Sequence, residues 1–529
     1  MIDTSRMRIP PFAHQVVGVE TILANPYFFL GDEMGAGKTK QAIDAAQYLY
    51  VNDVIDRVIV VAPASVRSVW YNEELGELAK HLWDDVSATV AEFHAKVREW
   101  RRGPTTKRAA MQWIITNYDF IRQRARYMQL VPYCTHRTLL ILDESSAVKN
   151  YRAERTLACK YLRNKCGRVL LLNGTPIANS PADLYSQFSL MDPRILDCKT
   201  FFHFRARYAI LGGFKQRQIV GWVNIEDLQN RIKPFILRRL KKDCLDLPEK
   251  MPPVALTVPL TEKTWKIYKE MRDQFVAWLS EASVSVSSQA VTKAMRLSQI
   301  TSGFLGGMME AEADGDTPVL ETDVRPSFIE EEEPLLWDDA PRGVITGRKL
   351  PAQEIGREKL DFLLQWMSDR MESDPDLKLL IWCRFRPELT RIVSAIETKF
   401  GLMIAVAGLH GGQKKIEREY ALNLLHPEKA PSGPAVVVGT KGTGSLGLNM
   451  TASHTVINMS DDYSLFKRKQ SDDRVHRPGQ VHDVSYFDII ATGPNGQRTI
   501  DHSIAKVQRD KDDVATWTQA AWISEIARE

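Results

Sequence analysis

The stretch that decides the fold of this chain is Gly31-Asp32-Glu33-Met34-Gly35-Ala36-Gly37-Lys38-Thr39. It follows the apolar run 27–30 and precedes the helix-favouring run 40–46, so its context is a strand, a glycine-rich loop and a helix. Gly35 and Gly37 would let backbone N–H groups close on phosphate oxygens at the positive end of the new helix. Lys38 would reach the β- and γ-phosphates of a bound nucleotide, and the Thr39 hydroxyl would bind Mg²⁺.

The loop departs from the strict pattern G-x-x-x-x-G-K-[ST], because Asp32 stands where that pattern has its first glycine. Taken alone, a G-x-G-K-T sequence after an apolar run is also compatible with a chance match. The interpretation as a phosphate-binding loop therefore depends on what accompanies it.

Two adjacent carboxylates accompany the phosphate-binding sequence. Asp143 and Glu144 follow the apolar run 138–142, which is typical of a buried parallel strand. Such a strand end can place Asp143 near the metal ion and leave Glu144 to orient and deprotonate the attacking water. The alternative, two acidic residues that open a surface loop, becomes weaker beside a phosphate-binding loop.

Further apolar runs predict strands in both halves of the chain, at 57–63, 111–117, 168–172, 378–383 and 454–459, with a strand and turn at 405–412 and a strand with a glycine-rich loop at 435–449. Strands that alternate with helical segments indicate doubly wound parallel sheets. A chain of 529 residues exceeds one ordinary core, so two or three domains are expected. The stripe Trp265, Tyr268, Met271, Phe275 and Leu279 predicts a helix that packs on a core.

The charge is unevenly distributed. Segment 310–339 contains twelve acidic residues and one arginine, and because the whole chain carries +4, the rest carries +15. A basic body is compatible with binding to a phosphate backbone, and a solvated basic surface is the alternative. We predict that the acidic segment is a mobile loop.

Composition excludes several classes of protein. The chain has no apolar run long enough to span a membrane, and its start lacks the apolar core of a secretory signal. Its six cysteines form no C-x-x-C pair, so neither a zinc site nor a disulfide framework is suggested. A cytoplasmic location, in a bacterium or a phage-infected host, is expected.

The order of five segments resembles the first lobe of the Swi/Snf family of DNA translocases, within helicase superfamily two. These segments are DEMGAGKT, APASVRSVW, ITNYDFI, LLILDESSAVKN and LLLNGTPIANSPADLYS. The resemblance implies that Asp32 before the loop is usual and that Gln15 reads adenine, whose N6 and N7 edge suits a side-chain amide. The chain departs from the family at Ser145-Ser146 and at Asn173.

The second half resembles the family at Gln470 to Gln480, which matches Q-x-x-x-R-x-x-R-x-G-Q. Arg474 and Arg477 are three residues apart, so we expect both on one face of a helical turn, where they would act as arginine fingers. A surface helix with salt bridges to neighbouring aspartates is the alternative. We also predict that Gly447 and Gln470 bind the nucleotide.

Predicted DNA contacts lie at strand ends and loops where small residues allow close approach to phosphates. They are Ser65, Thr116, Asn117, Thr440 and Gly444. Ser65 has the alternative role of a helix cap.

The sequence thus predicts an α/β chain with two RecA-like doubly wound parallel-sheet lobes and helical insertions between them. Lobe 1 would cover 1–245 and include a helical protrusion at about 187–235. A helical insertion with the acidic mobile segment 310–339 would cover 246–345, and lobe 2, with a C-terminal helix, would cover 346–529. The predicted activity is that of a monomeric, ATP- and Mg²⁺-dependent translocase on double-stranded DNA. A minimal motor core of this kind is typical of bacteria and their viruses. A strand-separating helicase and a non-catalytic DNA-binding scaffold are the alternatives.

Overall fold

The computed structural model describes residues 2–64, 66–72, 76–93, 110–174, 181–212, 218–281, 287–306, 352–441 and 449–510. The chain divides into two compact units, with the boundary between Leu247 and Pro248. We call the described residues before this boundary unit 1 and those after it unit 2. None of the helices in these described ranges is long and apolar enough to cross a membrane. The acidic segment 310–339 lies outside the described residues.

Unit 1 contains the phosphate-binding sequence and a parallel sheet. Its described strands are β1 (Tyr27–Leu30), β2 (Arg57–Ala62), β3 (Ala88–Glu92), β4 (Met111–Asn117), β5 (Thr138–Asp143), β6 (Arg168–Leu172), β7 (Ala209–Gly212), β8 (Gln218–Trp222) and β9 (Ile236–Leu237). The order in the sheet is β3-β4-β2-β5-β6-β1-β9, and every pair in it is parallel. Strands β7 and β8 form a separate antiparallel hairpin.

Helices surround this sheet. They are α1 (Ala13–Ala24), α2 (Lys38–Val51), α3 (Arg67–Tyr71), α4 (Glu77–His81), α5 (Tyr118–Ile121), α6 (Arg124–Tyr127), α7 (Glu154–Arg163), α8 (Ala182–Met191), α9 (Pro193–Leu196), α10 (Phe201–Tyr208), α11 (Ile225–Ile232) and α12 (Lys241–Cys244). Short 3₁₀ helices occur at Thr4–Arg6, Val131–Tyr133, Ser145–Val148 and Lys233–Phe235.

The central strands of unit 1 are buried on both faces. In β2, Ile59 and Val61 pack into one hydrophobic core, whereas Val58 and Val60 pack into the other. Because successive side chains of a strand point to opposite faces, a sheet covered on both sides needs a continuous apolar run rather than an alternating one. This is why the sequence signal for these strands was strong.

Unit 2 has its own parallel sheet. Its described strands are β10 (Val254–Pro259), β11 (Phe304–Leu305), β12 (Gln353–Glu354), β13 (Lys378–Cys383), β14 (Ala405–Leu409), β15 (Ala435–Thr440), β16 (Thr455–Asn458) and β17 (Ser485–Thr492). The order in the sheet is β10-β17-β16-β13-β15-β14, with parallel pairing throughout, and β11 and β12 form an antiparallel pair.

The helices of unit 2 are α13 (Glu262–Glu281), α14 (Ser287–Thr301), α15 (Glu358–Ser373), α16 (Arg386–Phe400), α17 (Lys415–Asn423), α18 (Leu465–Asp472) and α19 (residues 500–510), with a 3₁₀ helix at Gly401–Met403. Trp265 and Tyr268 of α13 are buried and stacked, and Met271 packs beside them, so the predicted core stripe is confirmed for these three residues. The side chains of Phe275 and Leu279 lie outside the described part of the chain.

The predicted fold class, two RecA-like doubly wound lobes, is confirmed. One feature of unit 2 was not expected from the sequence. Strand β10 lies within segment 246–345, which we predicted as a helical insertion, yet it pairs with β17 at the edge of the second sheet. The sequence of β10 is an apolar run, Val254 to Val258, but four of the six residues of the strand are exposed at the edge of the sheet.

Candidate functional site

The phosphate loop, residues 31–37, connects β1 to α2 as the sequence predicted. Gly35 and Gly37 have φ values of +84° and +76°, in the left-handed region that favours glycine. A Cβ on Gly37 would lie 2.2 Å from Nε2 of Gln15. The left-handed conformation favours glycine at position 37, where the backbone turns into α2, and a Cβ there would also displace the end of the Gln15 side chain.

Three carbonyl groups of the phosphate loop accept hydrogen bonds from nearby side chains. The Ala36 carbonyl accepts from Nε2 of His14 at 2.9 Å, of Gln15 at 3.4 Å and of Gln41 at 3.4 Å. Nζ of Lys38 donates to the Asp32 carbonyl at 2.8 Å and the Glu33 carbonyl at 3.1 Å. These contacts occupy the carbonyls of Asp32, Glu33 and Ala36, and the Gly31, Glu33 and Ala36 N–H groups also donate to backbone carbonyls.

Gln15 is buried beside this loop. Its carbonyl oxygen accepts from the Phe12 N–H at 3.1 Å, at the start of α1, and its amide nitrogen makes the contact with Ala36. The structure thus gives Gln15 a role in joining α1 to the phosphate loop. Its contact with adenine stays a prediction.

Asp32 is fully buried, and its side chain links the phosphate loop to Arg239 and Gln41. Its carboxylate accepts from Nε of Arg239 at 2.9 Å, from Nη2 of the same guanidinium, and from Nε2 of Gln41 at 3.1 Å. Because these donors surround the carboxylate, Asp32 acts in this structure as an anchor of the loop. Its predicted contact with the nucleotide is not tested by this arrangement.

The segment after β9 follows the phosphate loop closely. The Gly31 N–H donates to the Leu237 carbonyl at 2.7 Å, and the Glu33 N–H donates to the Arg239 carbonyl at 2.9 Å. Nη1 of Arg238 donates to the carbonyls of Gly31 at 3.0 Å and Gly174 at 3.1 Å. Burial lowers the pKa of Arg238 below its usual range.

Sequence reasoning did not include these two arginines among the site residues. The available signal was the pair Arg238-Arg239 directly after a short apolar run, which is too common to identify a partner. Their partners in the phosphate loop, Gly31 and Asp32, lie 207 positions earlier in the chain, and Gly174 lies 64 positions before Arg238.

Asp143 and Glu144 lie at the carboxyl end of β5, as predicted. The Asp143 carboxylate is buried, and it accepts from Nε1 of Trp70 at 2.8 Å and from the Glu144 N–H at 3.0 Å. Burial raises the pKa of Asp143, while the Trp70 hydrogen bond and the charge of Lys38 act in the opposite direction. The Lys38 effect indicates that phosphate loop and carboxylate share one electrostatic environment.

Glu144 has a left-handed backbone with φ of +49°. This conformation costs a non-glycine residue about 1–2 kcal/mol, and such strain is concentrated at functional sites. The following residue, Ser145, is fully buried and donates to Oε1 of Gln187 in α8 at 2.7 Å. The departure from the family pattern at Ser145 therefore creates a hydrogen bond inside unit 1.

The predicted DNA contacts are only partly described. Ser65, Gly444 and the predicted nucleotide-binding Gly447 lie outside the described residues. Thr116 is fully buried and donates to the Phe93 carbonyl at 2.9 Å, and Asn117 caps α5 by accepting from the Phe120 N–H at 2.7 Å. Both side chains thus have local structural roles, and their contact with DNA stays a prediction. Thr440 is half-buried at the end of β15.

In unit 2, the predicted arginine fingers lie beyond α18, which ends at Asp472. Arg474 and Arg477 belong to the turns that follow: the Arg474 N–H donates to the Ser471 carbonyl, and the Arg477 carbonyl accepts from the Gln480 N–H. Our expectation of one face of a helical turn was therefore wrong in its local geometry. Both side chains are half-buried, and Gln470 is buried within α18.

A buried ionic cluster precedes these turns. Arg468 of α18 forms ion pairs with Asp461 at 2.9 Å, Asp472 at 3.3 Å and Asp488 at 2.8 Å, and Lys441 pairs with Asp461 at 2.5 Å. Burial alone would raise the pKa of Asp461, but Lys441 and Arg468 outweigh it and lower that pKa to about 2. The cluster ties the end of β15 to α18.

Comparisons with known proteins match both halves of the chain. A family model described as SNF2-related domain matches residues 24–313, and one described as Helicase conserved C-terminal domain matches residues 358–479. TATA-binding protein-associated factor mot1 of Aspergillus fumigatus is 26% identical over an alignment that covers 93% of this chain and 26% of that protein. A protein of Mycoplasma pneumoniae named Uncharacterized ATP-dependent helicase is 23% identical, with 92% and 40% covered.

Among solved structures, the Sulfolobus solfataricus SWI2/SNF2 ATPase core in complex with dsDNA is 20% identical. That match covers 97% of this chain and 95% of the other chain, with a TM-score of 0.41. The present chain spans about a quarter of the length of the Aspergillus relative and 40% of the Mycoplasma relative.

Proposed function

This chain belongs to the SNF2-related family, and on that premise we propose that it is a DNA-dependent ATPase that moves along duplex DNA. The observation that carries the proposal is the edge of the unit 1 sheet. Lys38 follows β1, and Asp143 and Glu144 end β5; because all strands of this sheet are parallel, their carboxyl ends lie at one edge. Ligands of open α/β sheets bind at that edge.

The residues of unit 1 fit a magnesium nucleotide. Gly35 and Gly37 give the loop its left-handed turns, and Lys38, Thr39 and Asp143 are the ammonium, hydroxyl and carboxylate that suit phosphates and Mg²⁺. Bound Mg²⁺ would neutralise charge on the phosphates. Lys38 would hold the β- and γ-phosphates, and the Glu144 carboxylate would orient the attacking water and accept its proton.

Unit 2 is proposed to contribute positive charge. By family resemblance, Arg474 and Arg477 would stabilise the charge that develops on the transferred phosphoryl group, an effect of about a thousandfold or more in related enzymes. The hydrogen-bonded turns after α18 and the cluster around Arg468 support this role, because both fix the backbone from which the two arginines extend.

Movement along DNA would follow from alternating grips on its phosphate backbone, without base reading. The charge distribution supports this proposal, since the chain outside segment 310–339 carries +15. The printed name of the Mycoplasma relative, an ATP-dependent helicase, favours strand separation as a second candidate function.

The test is steady-state ATP hydrolysis without nucleic acid and with single-stranded, duplex or branched DNA, with strand displacement followed in parallel. We expect duplex DNA to stimulate hydrolysis while the strands stay paired. Stimulation by single strands together with unwinding would support the helicase. An absence of hydrolysis under every condition would favour the non-catalytic scaffold.

A further inference from the structure

Trp70 is joined to the ATP site by one hydrogen bond. The side chain lies in α3, is fully buried, and donates from Nε1 to Oδ2 of Asp143 at 2.8 Å. The other carboxylate oxygen, Oδ1, accepts from the Glu144 N–H at 3.0 Å. The Asp143 backbone is also held, because its carbonyl accepts from the Tyr118 hydroxyl at 2.8 Å.

These contacts fix the orientation of the carboxylate. The terminal torsion of an aspartate side chain is broad, so packing alone defines it poorly. Here each oxygen of Asp143 has its own donor, and rotation would break both hydrogen bonds. A hydrogen bond to an ionised acceptor is also stronger than one between neutral groups.

A second tryptophan shows what packing alone requires. Trp113 of β4 is fully buried in the same hydrophobic core, and its ring centre lies 6.5 Å from that of Trp70. Its Nε1 has no hydrogen-bond partner within the described residues. This core therefore tolerates a buried indole N–H without a partner, and the bond from Trp70 is not explained by packing.

Helix α3 is itself held in place. Arg67, in its first turn, forms an ion pair of 2.8 Å with Glu92 at the end of β3. Trp70 therefore lies on a helix that the Arg67–Glu92 ion pair also fixes to the sheet. A fixed helix suits a residue that must hold the Asp143 carboxylate in position.

We propose that Trp70 is a positioning residue that sets the orientation in which Asp143 meets Mg²⁺. This inference rests on the proposed function, since it requires Asp143 to act on the metal of a bound nucleotide. Partners that orient metal-binding carboxylates typically change metal affinity about 10–100-fold when removed. The position of α3 thereby affects the metal site through the Trp70 indole.

The test compares Trp70→Phe with Trp113→Phe in the full chain. The readout is binding of a fluorescent ATP analogue, titrated with Mg²⁺ and repeated in EDTA. Trp70→Phe should raise the Mg²⁺ concentration at half-maximal binding about tenfold or more. It should leave the affinity in EDTA unchanged, because the phosphate loop is not altered. Trp113→Phe removes the same atoms without a hydrogen bond and should leave both values unchanged.

An unchanged Mg²⁺ midpoint in Trp70→Phe would overturn the inference and leave the proposed function intact. If nucleotide binding by the wild-type protein does not depend on Mg²⁺, the metal site is overturned, and both the inference about Trp70 and the proposed function rest on that site. If Trp70→Phe fails to fold, the replacement Trp70→benzothienylalanine keeps the ring shape and exchanges N–H for sulfur. This variant should show the same rise in the Mg²⁺ concentration at half-maximal binding. An unchanged Mg²⁺ concentration would again overturn the inference.

Discussion

The ion pair between Arg239 and Asp32 allows a quantitative prediction about the phosphate loop. Asp32 is fully buried, and its carboxylate accepts from three side-chain donors. Arg239 provides two of these donors. Among the described residues, it also provides the only positive charge in contact with Asp32. Arg239→Ala would leave a buried carboxylate with one amide donor, from Gln41. Removal of one partner of a buried pair costs about 3–5 kcal/mol.

This cost should appear as local opening of the loop. An energy of about 3–5 kcal/mol corresponds to roughly two to nearly four powers of ten in an opening equilibrium. The Gly31 and Glu33 amides donate to the segment that contains Arg239, so their hydrogen exchange reports on this opening. We expect exchange in residues 27–37 of Arg239→Ala to accelerate about a hundredfold or more, with weaker ATP binding.

Two variants serve as controls. Asp32→Asn combined with Arg239→Met removes both charges and should recover most of the lost protection, because no unpaired buried charge remains. Arg137→Ala breaks an ion pair whose partner, Asp53, is 87% exposed, and should leave exchange in residues 27–37 unchanged. The reasoning would be refuted if residues 27–37 of Arg239→Ala exchanged hydrogen at the wild-type rate.

Three other predictions concern catalysis, packing and acid stability. Lys38→Ala or Glu144→Gln should abolish ATP turnover while duplex binding, measured by fluorescence anisotropy, stays largely intact; loss of binding in both would contradict the separation of these roles. Ser145→Ala removes the buried bond to Gln187 and should cost about 1 kcal/mol in urea unfolding, with ATP turnover within about twofold of wild type. Asp461, whose pKa is lowered to about 2 when folded, should contribute about 2 kcal/mol above pH 4. Because the folded pKa lies below the unfolded one, this contribution is lost as the pH falls from about 4 to about 2, and Asp461→Asn should flatten that dependence.

From the sequence alone we predicted β1, β2, β4, β5 and β6 of the first sheet and β13 to β16 of the second, together with a phosphate loop between a strand and a helix, but not β3, β9, β10 or β17. Strands that are buried on both faces must be continuously apolar, so the runs at 57–63, at 138–142 and at the start of segment 435–449 were visible without any structure. Gly35 and Gly37 were identified from the sequence as residues of the phosphate loop, and the structure adds that both have left-handed backbones. These are local properties, and the residues that produce them are adjacent in the chain.

Tertiary structure alone decided which side chains support the site. Arg239 reaches Asp32 across 207 positions, and Trp70 reaches Asp143 across 73. An arginine or a tryptophan has many possible partners, and no periodicity in the sequence selects one of them. The end of α18 before Arg474 was likewise set by hydrogen bonds and the ionic cluster around it. Local sequence patterns therefore determined the secondary-structure elements and the residue types of the phosphate loop. Long-range contacts determined how the side chains of the candidate site are held in place.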